Sequence, residues 1–185
     1  MQHKTNWLKI TQALYCRWIN YNVEVIMAIS TQLDSYLTEH CIPYQVIEHE
    51  HSASSVGSAI MAKIPLNQIA KAVILKDHED RKLMAVLPAK NKVSLSAIND
   101  HLMGSYKLLK EQEIYQMFSD CEHGAIPPVG DAFNMHMICD EMLDTLDYVY
   151  IEAGDHRKLL RISHKDYETM AAKSKHLRFS TEVIH

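Results

Sequence analysis

Apolar and polar positions along the 185-residue chain change period several times, and the changes mark out its elements. Leu33, Tyr36 and Leu37 recur at helical spacing behind Ser30 and Thr31, which predicts a capped helix ending before Pro43. Residues 44–47 alternate and are β-rich, so they predict a first strand. Ser54 and Ser55 precede a short helix over 56–61 that Pro65 limits. The runs 69–75 and 83–88 are almost wholly apolar and flank the charged turn HEDRK. They predict two buried strands forming an antiparallel hairpin. Helical periodicity returns over 94–103 with Gly104 as the stop, followed by a short strand at 106–109 and a helix over 110–118. Strands are predicted at 134–139 and 147–152. The turn AGDHRK then leads into the strand LLRIS, and Ser163 caps a final helix.

Strands and helices interleave, with several hairpins among the strands. The predicted fold class is therefore α/β of the α+β type: one mixed, largely antiparallel sheet, partly barrel-like, flanked by helices and not doubly wound. Residues 27–185 read as one domain without internal repeat. Residues 1–26 read as an N-terminal extension: Lys9, Arg17, Asn20 and Asn22 interrupt the apolar run that a signal peptide would need.

Composition narrows the function classes. Hydrophobic residues make up 47% and charged residues 23%, as in an ordinary globular protein, and the net charge of -4 argues against a sequence-blind DNA or RNA binder. No apolar run approaches the ~20 residues needed to cross a bilayer. The four cysteines form no CxxC pair, so neither a zinc site nor a disulfide framework is expected, and free thiols in a reducing cytoplasm are.

Three features carry candidate chemistry. Lys71 stands in the middle of an apolar strand, on the face opposite Ala72 and Ile74. Burying an unpaired ammonium is costly, so it must reach solvent or meet an anion. The stretch CEHGAIPPVG holds two of the five glycines and two of the five prolines, a loop both rigid and bare. Its prolines lack a donor, which leaves the N–H groups of Gly124, Ala125 and Ile126 to face a ligand. Among the 12 histidines, His156 in the turn after a strand ranks first as a functional imidazole. His49, His51 and His156 would be the set for a metal-dependent hydrolase, but no HxxxH or HExxH spacing supports one, and no metal or cofactor is expected. Cys121 and His123 lack a third residue to orient them, and no GxSxG, phosphate-loop or dinucleotide motif is present.

Taken in order, these pieces resemble the YbaK family of aminoacyl-tRNA deacylases, similar to the editing domain inserted in bacterial prolyl-tRNA synthetases. YQVIEHEHSASS resembles the opening strand and an H-x-x-(S/T) motif, His51 to Ser54. IAKAVIL resembles the strand lysine, at Lys71. GAIPP fits a GxxxP loop from Gly124 to Pro128, and YVYIEAGDHRKLLRIS resembles the closing strand, turn and strand. The resemblance covers about residues 28–175. It implies a cytoplasmic, trans-acting hydrolase of the ester on mischarged tRNA, working through a positioned water and backbone oxyanion stabilisation. Lys71, Gly124, Ala125 and Ile126 would be catalytic, and His51, Ser54, Pro128, Gly154, Asp155 and His156 would bind substrate. The implied partners are mischarged tRNA and an aminoacyl-tRNA synthetase. The turn from Glu152 to His156 departs from the family's pattern of a small hydroxyl residue and a second glycine, at the border of the amino-acid pocket. The alternative is a non-catalytic module of the same fold that holds aminoacyl-tRNA or a synthetase.

Overall fold

A computed structural model describes residues 29–182. The boundary expected at 26/27 lies outside the described residues. Helices α1 (Thr31–Glu39), α2 (Ser55–Ala62), α3 (Leu95–Leu102), α4 (Glu111–Met117) and α5 (His164–Ala171) accompany ten strands. The strands are β1 (Gln45–Glu48), β2 (Ile69–Lys76), β3 (Lys82–Pro88), β4 (Asn91–Val93), β5 (Lys107–Leu108), β6 (His136–Asp140), β7 (Tyr148–Glu152), β8 (Lys158–Ser163), β9 (Lys175–Leu177) and β10 (Ser180–Glu182). Among the described residues no helix is long and apolar enough to cross a membrane.

The main sheet runs β1-β8-β7-β2-β3-β6-β9, with β5 also on β2, and β10 pairs β4 in a separate two-stranded sheet. The predicted hairpin is present: β2 and β3 pair antiparallel from Ala70–Pro88 to Lys76–Lys82. The mixed, largely antiparallel character holds, with parallel pairs at β2–β7, β3–β6 and β6–β9.

Alternate residues of β3 enter opposite cores, which is why it reads as one apolar run. Met84 and Val86 pack with α1 and α5 residues such as Leu33 and Tyr167, whereas Leu83, Ala85 and Leu87 pack with Ile98 of α3 and Phe179. Period two on β2 puts Ala70 and Ile74 in the first core and Leu75 in the second, so Lys71 lies on the α3 side.

Serines cap four of the helices: Ser30 for α1, Ser54 for α2, Ser94 for α3 and Ser163 for α5 each accept a backbone N–H. Two details differ from expectation. The left-handed stop of α3 is Met103 at φ +48, one residue before Gly104. Cys121 and Cys139 are free thiols, but Cys41 is disulfide-bonded, which its spacing did not indicate.

Candidate active site

Three segments meet around the turn after β7. Backbone bonds tie it to the H-x-x-S segment, His49 N–H donating to Arg157 O at 2.9 Å and Ser52 N–H to His156 O at 3.1 Å. A third bond ties it to the Gly/Pro loop, Glu122 N–H donating to Gly154 O at 2.8 Å. The turn needs special backbone: Gly154 has φ +121, and a Cβ there would come within 3.2 Å of Ser30 Cβ. Asp155 is engaged inside the turn, its Oδ1 accepting from Arg157 and Lys158 N–H at 3.0 Å each.

The loop has a buried back and an open front. Ala125, Ile126, Pro127 and Pro128 are buried, Ile126 in the main core, while Gly124 and the two residues before it are exposed. Gly124 has φ +91. The Ala125 N–H donates to Glu122 O at 3.0 Å, closing a turn, so it is not available to a ligand as the composition suggested. The N–H groups of Gly124 and Ile126 have no partner among the described residues. His123 stacks on Tyr115, centroids 3.5 Å apart.

Beneath the loop lies a buried polar chain that sequence reading missed. Glu152 is fully buried at the end of β7, and its Oε1 accepts from Ser58 Oγ at 2.8 Å. Ser58 Oγ is 2.9 Å from Ser52 Oγ. On the other side, His156 is 2% exposed with φ +52. Its Nε2 lies 3.0 Å from the His123 carbonyl oxygen, and its Nδ1 is 3.7 Å from Glu152 Oε1. Both groups facing the ring are acceptors, so the ring is best matched with protons on both nitrogens. The Glu152 carboxylate, with a smaller contribution from the His123 carbonyl, holds the imidazolium above its ordinary range despite burial. A Cβ on Gly124 would come within 3.3 Å of His156 Nε2, so the imidazole leaves little room for a side chain there. The available signal was a glutamate inside an otherwise apolar strand, the same kind of signal that picked out Lys71.

His51, also expected at the site, is there: its Nε2 is 2.8 Å from Glu122 Oε2, and its ring meets His156 edge-on at 6.2 Å. His49 Nδ1 instead faces the Glu50 carbonyl at 2.8 Å. Among the described residues no three of His, Cys, Asp or Glu converge on a metal position, so the three histidines do not form one. Ser54 is engaged as the α2 cap, its Oγ accepting from Gly57 N–H at 3.2 Å. Cys121 is a poor nucleophile, its thiol pushed up to about 12 by burial and by Asp120.

Lys71 stands apart from the loop. Its Nζ donates to Ala89 O at 3.0 Å, and it lines a cleft of about 440 Å³ with Val56, Lys90 and Lys92, which no residue of 121–130 enters. Burial, and secondarily the Lys92 charge, hold its ammonium below the usual lysine range. The start of α2 joins the two places: Ala53 O lies 3.9 Å from where a Gly124 Cβ would be, and Val56 lines the lysine cleft.

Comparison with known proteins gives the family and the fold. Residues 49–170 match the family model described as an aminoacyl-tRNA editing domain. The chain belongs to that family. Among solved structures, this editing domain is similar to the hypothetical protein APE2540, at 16% identity and TM-score 0.72 over 81% of this chain and 99% of that one. It is also similar to a protein provisionally assigned as a trans-editing enzyme for prolyl tRNA synthetase, at 18% identity and TM-score 0.68 over 82% and 96% of the two chains. A third, provisionally assigned as a signal transduction protein from Marinobacter aquaeolei VT8, matches at 18% identity and TM-score 0.65 over 82% of this chain but 30% of its own. No functionally curated protein matches the editing domain significantly. At these identities the solved structures speak for the fold alone.

Proposed function

We propose that this editing domain is a trans-acting aminoacyl-tRNA deacylase that hydrolyses the ester joining a wrong amino acid to the 3′ end of tRNA. The observation that carries the reading is the Gly124 loop: two unpartnered N–H groups on a backbone whose far side is packed in the core and whose near side rests on His156. An aminoacyl ester is already activated, so a positioned water can attack it without a covalent nucleophile. The carbonyl oxygen gains charge as the tetrahedral intermediate forms, and the Gly124 and Ile126 N–H groups would stabilise it without moving. The neighbouring ribose hydroxyl of the esterified tRNA would orient that water by a hydrogen bond, and as the acyl C–O bond breaks the water's proton would pass to the departing ribose oxygen. Lys71 supplies a point charge for the nucleic-acid end. Buried Pro128 and the Gly154 turn would back the loop, and His51, paired with Glu122, would border the ester. The partner named provisionally for a solved relative, a prolyl tRNA synthetase, supports a synthetase as source of the mischarged tRNA.

The test is release of free amino acid from a panel of singly mischarged tRNAs with enzyme in excess, beginning with alanyl-, cysteinyl- and seryl- forms. Hydrolysis of at least one is expected. Binding of charged tRNA with every ester intact would support a non-catalytic module instead.

A further inference from the structure

The cleft beside Lys71 has a chemistry that the loop mechanism does not use. Its lining includes the apolar side chains of Val56, 41% exposed, and Leu66. The lining also includes Lys90, Asn91, Lys92 and Glu182. Asn91 is 1% exposed and its amide is engaged inside the protein, Nδ2 donating to Ser180 Oγ at 2.8 Å and to Met142 Sδ at 3.0 Å. Glu182 is paired with Lys90 at 3.2 Å, so Lys71 and Lys92 share the cleft without an acidic partner of their own among the described residues, and the charge of Lys92 adds to the depression of Lys71. An anion between them would relieve both.

The wall is also held by a part of the chain outside the family match. Lys92 pairs with Thr181 in the β4–β10 ladder, and Ser94 N–H donates to Phe179 O at 2.8 Å, with Phe179 1% exposed in the second core. Residues 179–182 lie beyond the matched 49–170 and fix the direction in which Lys92 and Asn91 are presented.

Apolar side chains beside unpaired cations suit a nucleotide: base against Val56 and Leu66, phosphate on Lys92. Resting on the deacylase reading, we infer that this cleft is a subsite for the nucleotide preceding the esterified one, with Lys92 taking its phosphate and Val56 and Leu66 meeting its base. Lys71 faces the terminal nucleotide from the same cleft.

The test compares two substrates: mischarged tRNA, and the same aminoacyl ester on adenosine without phosphates. For Lys92→Gln, kcat/KM on tRNA falls about three- to tenfold, chiefly through KM, and the slope of log kcat/KM against log salt becomes shallower by about 0.7 to 1. The ratio of kcat/KM for tRNA to that for the phosphate-free ester falls by the same factor. Exposed Lys107, on β5, is the control site, and Lys107→Gln changes neither ratio nor slope. An unchanged slope and ratio for Lys92→Gln would overturn the inference, as would an equal loss on both substrates. A 3′-terminal trinucleotide, titrated by fluorescence anisotropy across salt concentrations, separates this inference from the deacylase reading. If no ester is hydrolysed yet Lys92→Gln weakens trinucleotide binding with a shallower slope, the subsite stands and the deacylase reading falls. If the parent hydrolyses esters but binds the trinucleotide no better than Lys92→Gln does, the subsite falls alone.

Discussion

Single residues divide the site's work between backbone and charge. Gly124 is the position where a side chain is least tolerable, because φ +91 resists any β-branched residue and a Cβ would approach His156 Nε2 to 3.3 Å. Gly124→Val is expected to stay folded and to lose about 2.7–4 kcal/mol of transition-state stabilisation, the scale for one oxyanion donor. Ile126→Val should keep most of the rate, since only its N–H is used. Melting curves and single-turnover deacylation check both, and a fully active Gly124→Val would reduce the loop to a turn. Lys71→Ala should abolish most activity while changing stability by no more than about 1 kcal/mol, the worth of its single bond to Ala89 O. Deacylation at the parental rate would make Lys71 an ordinary strand lysine.

The Glu152–His156 pair makes a prediction of its own. His156 is raised above its ordinary value in the folded state, chiefly by Glu152. The pair's contribution to stability is therefore complete below about pH 6.5 and is lost as pH rises through the folded value of His156. Glu152→Gln should lower the His156 titration midpoint seen by NMR and flatten that part of the stability profile. An unmoved midpoint would mean that the carboxylate does not hold the imidazolium. Glu122 and His51 also face this ring, so the midpoint is best read in a His51→Asn background as well.

At the scale of elements, strong periodicity and serine caps were legible in the sequence, and short or paired-late elements were not. The β2–β3 hairpin was readable because both strands are buried on two faces and joined by a charged turn. Strands β4, β9 and β10 have three residues each, too few for a period to register, and each forms only by pairing with a distant partner. The parallel pairings depend likewise on long-range topology. Lys71 and the Gly/Pro loop stood out because each breaks its local pattern, a charge among apolar residues and glycines among prolines. Glu152 broke the same rule but was read as part of a turn, and its partner Ser58 is 94 residues away in the chain. The engagement of Ala125 N–H by Glu122 O could not be read from composition at all. Phe179 shows how much a late element matters: Phe179→Ala should cost about 3–5 kcal/mol as a buried aromatic truncation. Denaturant unfolding checks it, and a loss below 1 kcal/mol would mean that the 179–182 segment is not integral to the second core.

Across the whole molecule, the proposed reading gives one sheet two places for one ligand: a loop to meet the ester, and a cleft with unpaired lysines to meet the nucleic acid. A net charge of -4 leaves little general attraction for tRNA, so affinity for the free partner should be weak and confined to its 3′ end. The central claim is turnover, and it is measured by release of free amino acid from mischarged tRNA in excess over enzyme. The account predicts repeated release from at least one tRNA of the panel, undiminished by chelator. Charged tRNA that binds but keeps its ester through the whole panel would contradict it.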